Sequence, residues 1–400
     1  MRVTLLTHSY WPESSPPQRR WGALIGEFRK QGWESDVVTP VAHSPGRSKA
    51  FPDNAGRAFC TQTGPHGEKI RRVPFLPHGK RHLWRLVDQC FSAFWTVPVG
   101  MLTRKPDVVV VTVPSLPIMA AGYILARLRR VPLILEMRDA WPDLARDARL
   151  VRGNVKSVFE VFADFVQRRA NLVVTVTEGF ADVLRSRGIL NVATISNGLH
   201  VTSLPALPAP PMQREVFEAL YLGNHGDSQN LETSIRASAI VGSRMHLHMV
   251  GYGSRRSALQ KLALELGAPV TFHPSLHGQD VLDRYASADT CIVSLRDDWK
   301  SFETTIPSKT YEVLALGRHV TAVVRGEAAR VVTEAAAGDI VANHPQALAD
   351  LWHGLAEDRS RLVRTGASRA WVHHHADYGI LSERYMELIR GLLSRNGRTE

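Results

Sequence analysis

The sequence predicts an α/β fold built on parallel sheets and split into two units. Short β-branched runs alternate with helical periodicity along the whole chain, the pattern of parallel strands joined by crossover helices. The runs form two series, at 3–7, 36–39, 108–113, 133–136 and 172–176, then at 219–222, 247–250, 270–272, 290–294 and 320–324. Between the series, residues 204–211 hold Pro205, Pro208, Pro210 and Pro211. Four prolines so close together exclude a helix or a central strand and mark a linker.

The expected organisation is an N-terminal unit at 1–203, the linker at 204–211 and a C-terminal unit at 212–377. Helical periodicity falls at 20–30, 119–129, 179–187, 231–241 and 255–266. A last helix at about 378–395 is open to either unit, a return to the first included.

Composition sets the broad class. Of 400 residues, 44% are hydrophobic and 22% charged, which suits a globular protein with a core in each unit. Cys60, Cys90 and Cys291 lie far apart, outside any metal-ligand spacing, and read as free thiols in a reducing compartment. The N-terminal run reads as a first strand, not a signal peptide, so a cytoplasmic location is expected. Pro114 and Pro117 interrupt the longest apolar stretch, which leaves no expected membrane span. Lys and Arg exceed Asp and Glu by 49 − 38 = +11. That balance suits nucleic acid, an anionic membrane or a phosphate-rich ligand alike.

Several segments could carry chemistry, since ligands of open α/β sheets bind at the carboxyl ends of strands. The loop after the first strand contains Tyr10, Trp11, Pro12, Ser14 and Ser15 and opens a helix, where backbone N–H groups can meet an anion or a sugar. Arg138 and Asp139 follow a hydrophobic strand; a guanidinium fork binds phosphate and a carboxylate accepts from hydroxyls, although the two could equally pair locally. The second series opens with Gly223, Asn224 and Gly226 between a strand and a helix, a candidate phosphate cradle. Gly251, Gly253 and Arg255 form a similar turn. Arg256 stands where a third glycine would complete a dinucleotide fingerprint, so no such cofactor is expected.

The segment 303–317 is the most specific. Pro307 and Ser308 signal entry to a helix, with Ser308 a candidate N-cap. Lys309 then sits in the first turn, where a cation opposes the helix dipole unless an anion binds beside it. Glu312, further along the helix, could accept hydrogen bonds from a ribose diol.

These motifs, in this order, resemble the GT-B retaining glycosyltransferases of family 4, in the branch that builds O-antigen, capsule and colanic-acid-like polysaccharides. The resemblance rests on Tyr10-Trp11-Pro12-Glu13, Pro106-Asp107-Val108-Val109, Pro114-Ser115-Leu116-Pro117, Glu136 to Pro142, Asn197-Gly198, Gly251 to Gly253, and Pro307 to Gly317. It implies two Rossmann-like domains whose parallel sheets face each other across a donor-binding cleft. It also implies transfer from a nucleoside-diphosphate sugar, UDP-linked by family habit, to a glycan or polyprenyl-linked acceptor. The donor would contact Gly223, Asn224, Gly226, Gly251, Gly253, Arg255, Pro307, Ser308, Lys309 and Glu312. Arg138, Asp139, Glu303 and Lys309 would serve the reaction. Tyr10, Trp11, Pro12, Ser14, Ser15 and Ser115 would form the acceptor side. The family's first glutamate falls on Thr304, with Glu303 displaced by one, and its usual Arg and Lys in the first turn are Asn224 and Gln229 here.

Departure of a diphosphate needs stabilisation of negative charge, which Lys309, N–H groups and a helix terminus can supply. No cofactor and no metal site is expected. Basic residues running from Arg71 to Arg85 into Phe91, Phe94 and Trp95 suit an interfacial helix on anionic lipid within residues 75–98, or equally a core helix with a basic rim. Two rival readings remain: a UDP-sugar 2-epimerase of the same architecture, and a basic nucleic-acid-binding protein. The second lacks any recognisable module.

Overall fold

The computed structural model describes residues 1–13, 15–43, 56–77, 82–113, 116–138 and 154–395. The chain forms two compact units, Met1–Asn197 with Tyr378–Glu400, and Gly198–Asp377.

The first unit runs β1 (Arg2–Leu6), α1 (Pro16–Lys30), β2 (Glu34–Pro40), β3 (Thr61–Thr63), β4 (Lys69–Val73), α2 (His82–Met101), β5 (Val108–Val113), α3 (Leu116–Arg129), β6 (Leu133–Met137), α4 (Asn154–Arg169), β7 (Leu172–Thr175), α5 (Glu178–Ser186) and β8 (Val192–Thr194). Its sheet order is β3-β4-β2-β1-β5-β6-β7-β8, and only β3 pairs antiparallel, on β4. The central strand β5 is Val-Val-Val-Val-Thr-Val and buried at every position, as a strand covered on both faces requires. Period-two alternation sends Leu6, Val38, Val109, Val111 and Leu135 into one core with Met119, Leu125 and Val166. It sends Val3, Leu5, Val37, Val110 and Ile134 into another with Trp21, Leu24 and Phe28.

The second unit runs β9 (Phe217–Leu222), α6 (Glu232–Val241), β10 (Met245–Val250), α7 (Arg256–Glu265), β11 (Val270–His273), α8 (Gln279–Ser287), β12 (Thr290–Ser294), α9 (Ser308–Leu316), β13 (His319–Val323), α10 (Gly326–Glu334), β14 (Gly338–Ile340), α11 (Pro345–Glu357) and α12 (Ala367–Ala376). All its pairs are parallel, in the order β11-β10-β9-β12-β13-β14. This is the doubly wound order, whose direction reverses between the first and fourth strands. Both units are therefore Rossmann-like. Phe217, Leu247, Met249, Ile235, Leu259, Leu348 and Trp352 form the core of the second on one sheet face.

The last helix, α13 (Tyr378–Arg395), packs in the first unit. Its Tyr385, Met386 and Ile389 join the α1 core, and the Tyr385 ring meets Trp21 edge-on at 5.5 Å. The proline-rich stretch stays with the second unit. Leu207 N donates to the Leu316 carbonyl at 2.9 Å, and Arg318 and Arg359 donate to the carbonyls of Pro208 and Pro211, each at 2.7 Å.

Strands β3, β4, β8 and β14 are additional to the two series expected from sequence. Their apolar signal is weak: β3 is Thr-Gln-Thr and β4 is Lys-Ile-Arg-Arg-Val. Two members of the basic run expected to flank an interfacial helix belong instead to β4. Arg71 and Arg72 are strand residues, and Arg72 is wholly buried, donating to the carbonyls of Pro40 at 3.1 Å and of Trp11. Part of that run, 78–81, lies outside the described residues.

The first unit closes around one buried ion pair. Arg20 of α1 donates to Glu136 at the end of β6 at 3.1 Å, and Trp21 Nε1 donates to the other carboxylate oxygen at 2.8 Å. Arg20 also donates to the Ile195 carbonyl at 2.9 Å and to that of Ser196. Burial disfavours the Arg20 cation, but Glu136, Tyr378 and Tyr385 together outweigh it and the guanidinium is held more firmly protonated than usual. Removing one partner strands the other charge in the core. Glu136→Ala is expected to cost about 3–5 kcal/mol, read as a loss of melting temperature with Glu312→Ala as the folded comparison.

Candidate functional site

The carboxyl ends of β9, β10 and β12 gather most of the residues expected to hold a donor. The turns after β9 and β10 are joined backbone to backbone. Gly223 N donates to the Val250 carbonyl at 3.0 Å, His225 N to Tyr252 at 2.9 Å, and Arg255 N to His225 at 2.9 Å. A Cβ on Gly251, which has φ +130, would collide with the Gly223 carbonyl, and one on Gly253 with the His225 carbonyl. Here glycine is needed because backbone fills the space of a side chain.

The Gly226 N–H is occupied by the Gln229 side chain at 3.1 Å. Asn224 reaches Gln229 only at 3.5 Å, while its carbonyl accepts from Tyr221 Oη at 2.8 Å. Arg255 is held by two carboxylates of the next turn, Glu232 at 2.7 Å and Asp227 at 3.3 Å. The loop after β12 is tied to the same turn: Ser294 Oγ donates to the Gln229 carbonyl at 2.6 Å and Arg296 N to that of Ser228 at 2.9 Å.

That loop continues into the Glu303 segment and α9. Glu303 is exposed within the 3₁₀ turn Lys300–Thr304. Its carbonyl lies where a Cβ on Gly326 would have to sit, which locks this turn to the β13–α10 loop. Pro307, not Ser308, occupies the cap position of α9, with no side-chain cap; Ser308 is the first helical residue. The reason is local: proline holds φ −58 and leads straight into the helix. The first turn therefore carries Lys309 beside uncapped N–H groups. Lys309 Nζ donates to Glu312 at 2.8 Å, so the expected diphosphate cation and ribose carboxylate neutralise each other here.

In the first unit, Arg138 reaches Asn197 Oδ1 at 3.5 Å. Asp139, Ser14 and Ser115 lie outside the described residues. Tyr10 is wholly buried and donates to Glu68 at 2.9 Å. Burial, reinforced by Glu68, raises its pKa far above the usual phenol range. Tyr10 thus supports the loop from beneath. Trp11 and Pro12 are half-buried above it, joined by a cis peptide bond. Ser15 caps α1, accepting from Gln18 N at 3.3 Å, and meets Ser9 Oγ at 2.8 Å. Glu13 is buried and accepts from Ser9 at 2.8 Å and from His43 N at 2.7 Å.

Sequence reasoning noted Gln229 only as an uncharged stand-in and gave no role to His225 or Glu232, yet all three shape the first turn. Of the last two, only His225 left a signal, as a titratable residue inside the glycine turn. Its ring is wholly buried between Tyr221 and Phe272, and neither ring nitrogen has a hydrogen-bond partner among the described residues. Burial, then Arg256, pushes its pKa down to about 4.

Comparison with known proteins fits this layout. Residues 17–198 match the family model of a glycosyl transferase 4-like domain, and residues 217–358 that of glycosyl transferases group 1. Sucrose-phosphate synthase from Thermosynechococcus elongatus is similar in structure, with TM-score 0.72, 16% identity, and 98% of this chain and 99% of that one covered. Anabaena HepE in complex with UDP gives TM-score 0.71, 15% identity, and 98% and 100% covered. WaaG, a glycosyltransferase involved in lipopolysaccharide biosynthesis, gives 0.64, 15%, and 97% and 100%. At these identities the likeness shows the fold. No curated protein sequence matches the chain.

The buried histidine makes a pH prediction. A folded pKa near 4 against about 6.5 unfolded means that the fold selects neutral His225. Its contribution is present above pH 6.5 and is lost as pH falls through the folded value, a span of about 3 kcal/mol. His225→Phe is expected to lose less stability than wild type between pH 6.5 and 4, measured by denaturant midpoints. Parallel pH curves for the two proteins would contradict the assignment.

Proposed function

The chain is a glycosyltransferase of the GT-B type, and from that premise we propose that it moves a sugar, with retention, from a UDP-sugar to a glycan or polyprenyl-linked acceptor in cell-surface polysaccharide or glycoconjugate synthesis. The observation that carries the donor assignment is α9: an uncapped helix N-terminus at the carboxyl edge of the second sheet, with Lys309 in its first turn and Glu312 one turn on. A diphosphate entering there takes over Lys309, and Glu312 is released to accept from the ribose hydroxyls. Anabaena HepE, of the same fold, is a complex with UDP, which supports uridine as the base.

The chemistry follows from where charge develops. As the sugar C1–O bond breaks, negative charge grows on the departing diphosphate. Lys309 and the N-terminus of α9 are placed to stabilise it. In the retaining course the acceptor oxygen bonds C1 on the face the diphosphate leaves, and the diphosphate takes the acceptor's proton. Arg255 supplements Lys309, exchanging Glu232 and Asp227 for phosphate oxygens. Glu303, exposed before α9, takes the role of the family's first glutamate toward the donor sugar. Arg138 and Asp139 serve the sugar from the first unit, and the loop through Trp11, Pro12 and Ser15 takes the acceptor.

Attachment to the cytoplasmic face of an anionic membrane through residues 75–98 belongs to the same proposal. No described helix is long and apolar enough to cross a bilayer. Yet α2 exposes Trp84, Val87, Phe94 and Met101 along one stripe, and Leu102 follows it. Phe94 is 69% and Leu102 70% exposed. Arg85 on the same helix is also exposed. An exposed apolar stripe with a basic residue on another face of the same helix suits an interfacial position.

Two experiments test the proposal. In a thermal-shift panel of UDP, GDP, ADP and their sugar conjugates, UDP compounds at 100-fold over Kd should stabilise by about 2.7 kcal/mol, with Glu312→Ala losing most of the effect. No shift with any diphosphate on folded protein would overturn the donor site. Sedimentation with phosphatidylglycerol vesicles at low salt should capture wild type and lose Trp84→Ser/Phe94→Ser. Indifference of the wild type to those vesicles would remove the membrane claim.

A further inference from the structure

A cavity of about 480 Å³ lies at the opposite, amino end of the first unit's sheet, lined by residues of β1, β2, β4 and α1. It belongs to none of the loops described above. Two polar side chains on its wall are more than nine-tenths buried and unsatisfied. Asp36 is 5% exposed, and its carboxylate has neither a hydrogen bond nor an ion pair among the described residues. Ser35 is 8% exposed, and its hydroxyl is also without a partner. Burial holds the Asp36 carboxyl above its usual range, although Arg71 and Arg2 oppose this. Buried polar groups without partners are rare and call for an explanation.

The other carboxylates on the wall are committed elsewhere. Glu34 pairs with Arg2, and Glu68 accepts from Tyr10 Oη and His66 N, each at 2.9 Å. The cations are not matched to them. Lys69 donates to Thr63 Oγ1 at 2.9 Å, and Arg71 to Thr61 Oγ1 at 3.2 Å while its Nε is buried without a partner. Arg29 also lines the cavity. Asp36 pairs in register with Lys69, and Val38 with Arg71, so strand alternation puts Asp36, Lys69 and Arg71 on one sheet face. They nevertheless do not pair. The site thus presents an acceptor wanting donors beside cations wanting an anion. A phosphate group on a small polyol carries both complements at this size.

We propose that this cavity binds a phosphorylated sugar, with Lys69 and Arg71 on the phosphate and Asp36, on the same sheet face, on the sugar hydroxyls. It is a second ligand site, separate from the donor loops and independent of the donor reading. Hydroxyls donate to Asp36, and the cations supply charge-assisted bonds to the phosphate.

The test is calorimetric titration of the full chain with glucose 1-phosphate, glucose 6-phosphate and fructose 6-phosphate, beside glucose and inorganic phosphate. At least one hexose phosphate should bind more tightly than either fragment. Lys69→Ala, on the exposed strand edge, and Arg71→Gln should each weaken it about tenfold. Asp36→Asn should raise the melting temperature without ligand, yet remove the advantage of hexose phosphate over inorganic phosphate. Glu312→Ala should bind as wild type, which separates this site from the donor site. The proposal is overturned if no hexose phosphate binds at millimolar concentration. Binding that is unchanged in Lys69→Ala and Arg71→Gln, or inorganic phosphate that binds as tightly, overturns it as well.

Discussion

Backbone lying directly on backbone at the carboxyl edge of the second sheet is the constraint on which the donor-side arrangement depends. Gly251 and Gly253 admit no side chain, because the carbonyls of Gly223 and His225 occupy that space. The turns after β9 and β10 are thereby fused into one rigid surface, and the β12 loop is bonded to it through Ser294 and Arg296. On this surface two cations are held by carboxylates. Lys309 rests on Glu312, and Arg255 on Glu232 and Asp227. Under the proposed function an entering anion competes against carboxylates that are partly solvated, where ion pairs contribute little.

The first unit solves a different problem. Its sheet is largely apolar on both faces, and one buried carboxylate joins several of its elements. Glu136 takes Arg20 and Trp21, and Arg20 ties down the carbonyls after β8. This carboxylate opens the segment most specific to the first unit in the sequence. Its contacts are structural, while Arg138, two residues on, is oriented toward Asn197. One short motif thus places a buried structural carboxylate two residues from the arginine proposed to serve the donor sugar.

The strands readable from sequence were the ones with a continuous β-branched signal. β5 carries it at every position, and β12 at Thr290, Ile292 and Val293. β4 did not read as a strand because Arg71 and Arg72 look like surface charge; burial of Arg72 against carbonyls is a tertiary effect that no local pattern reveals. At the site, glycine spacing and the Pro307–Glu312 segment were legible, since they act through local backbone geometry. The partners of Arg255, the Gln229 cap on Gly226 and the burial of Tyr10 were not, because each depends on a chain segment that meets it only after folding. The cap at Pro307 shows the limit on a smaller scale: a Pro-Ser pair marks a helix start, but which residue is the cap depends on the φ that proline imposes.

The return of α13 to the first unit has a consequence for biosynthesis. Leu199 bridges to Asp377, and Val201 N donates to the Asp377 carboxylate at 2.9 Å, so the second unit leaves and rejoins the chain at one spot. It is an insertion with adjoining ends, able to close on itself as soon as its own residues are made. The first unit, begun earlier, waits for Tyr385 and Ile389 to complete the wall over Trp21 and Phe28. On the ribosome, the half translated first is the half finished last, and for that interval its α1 core faces water.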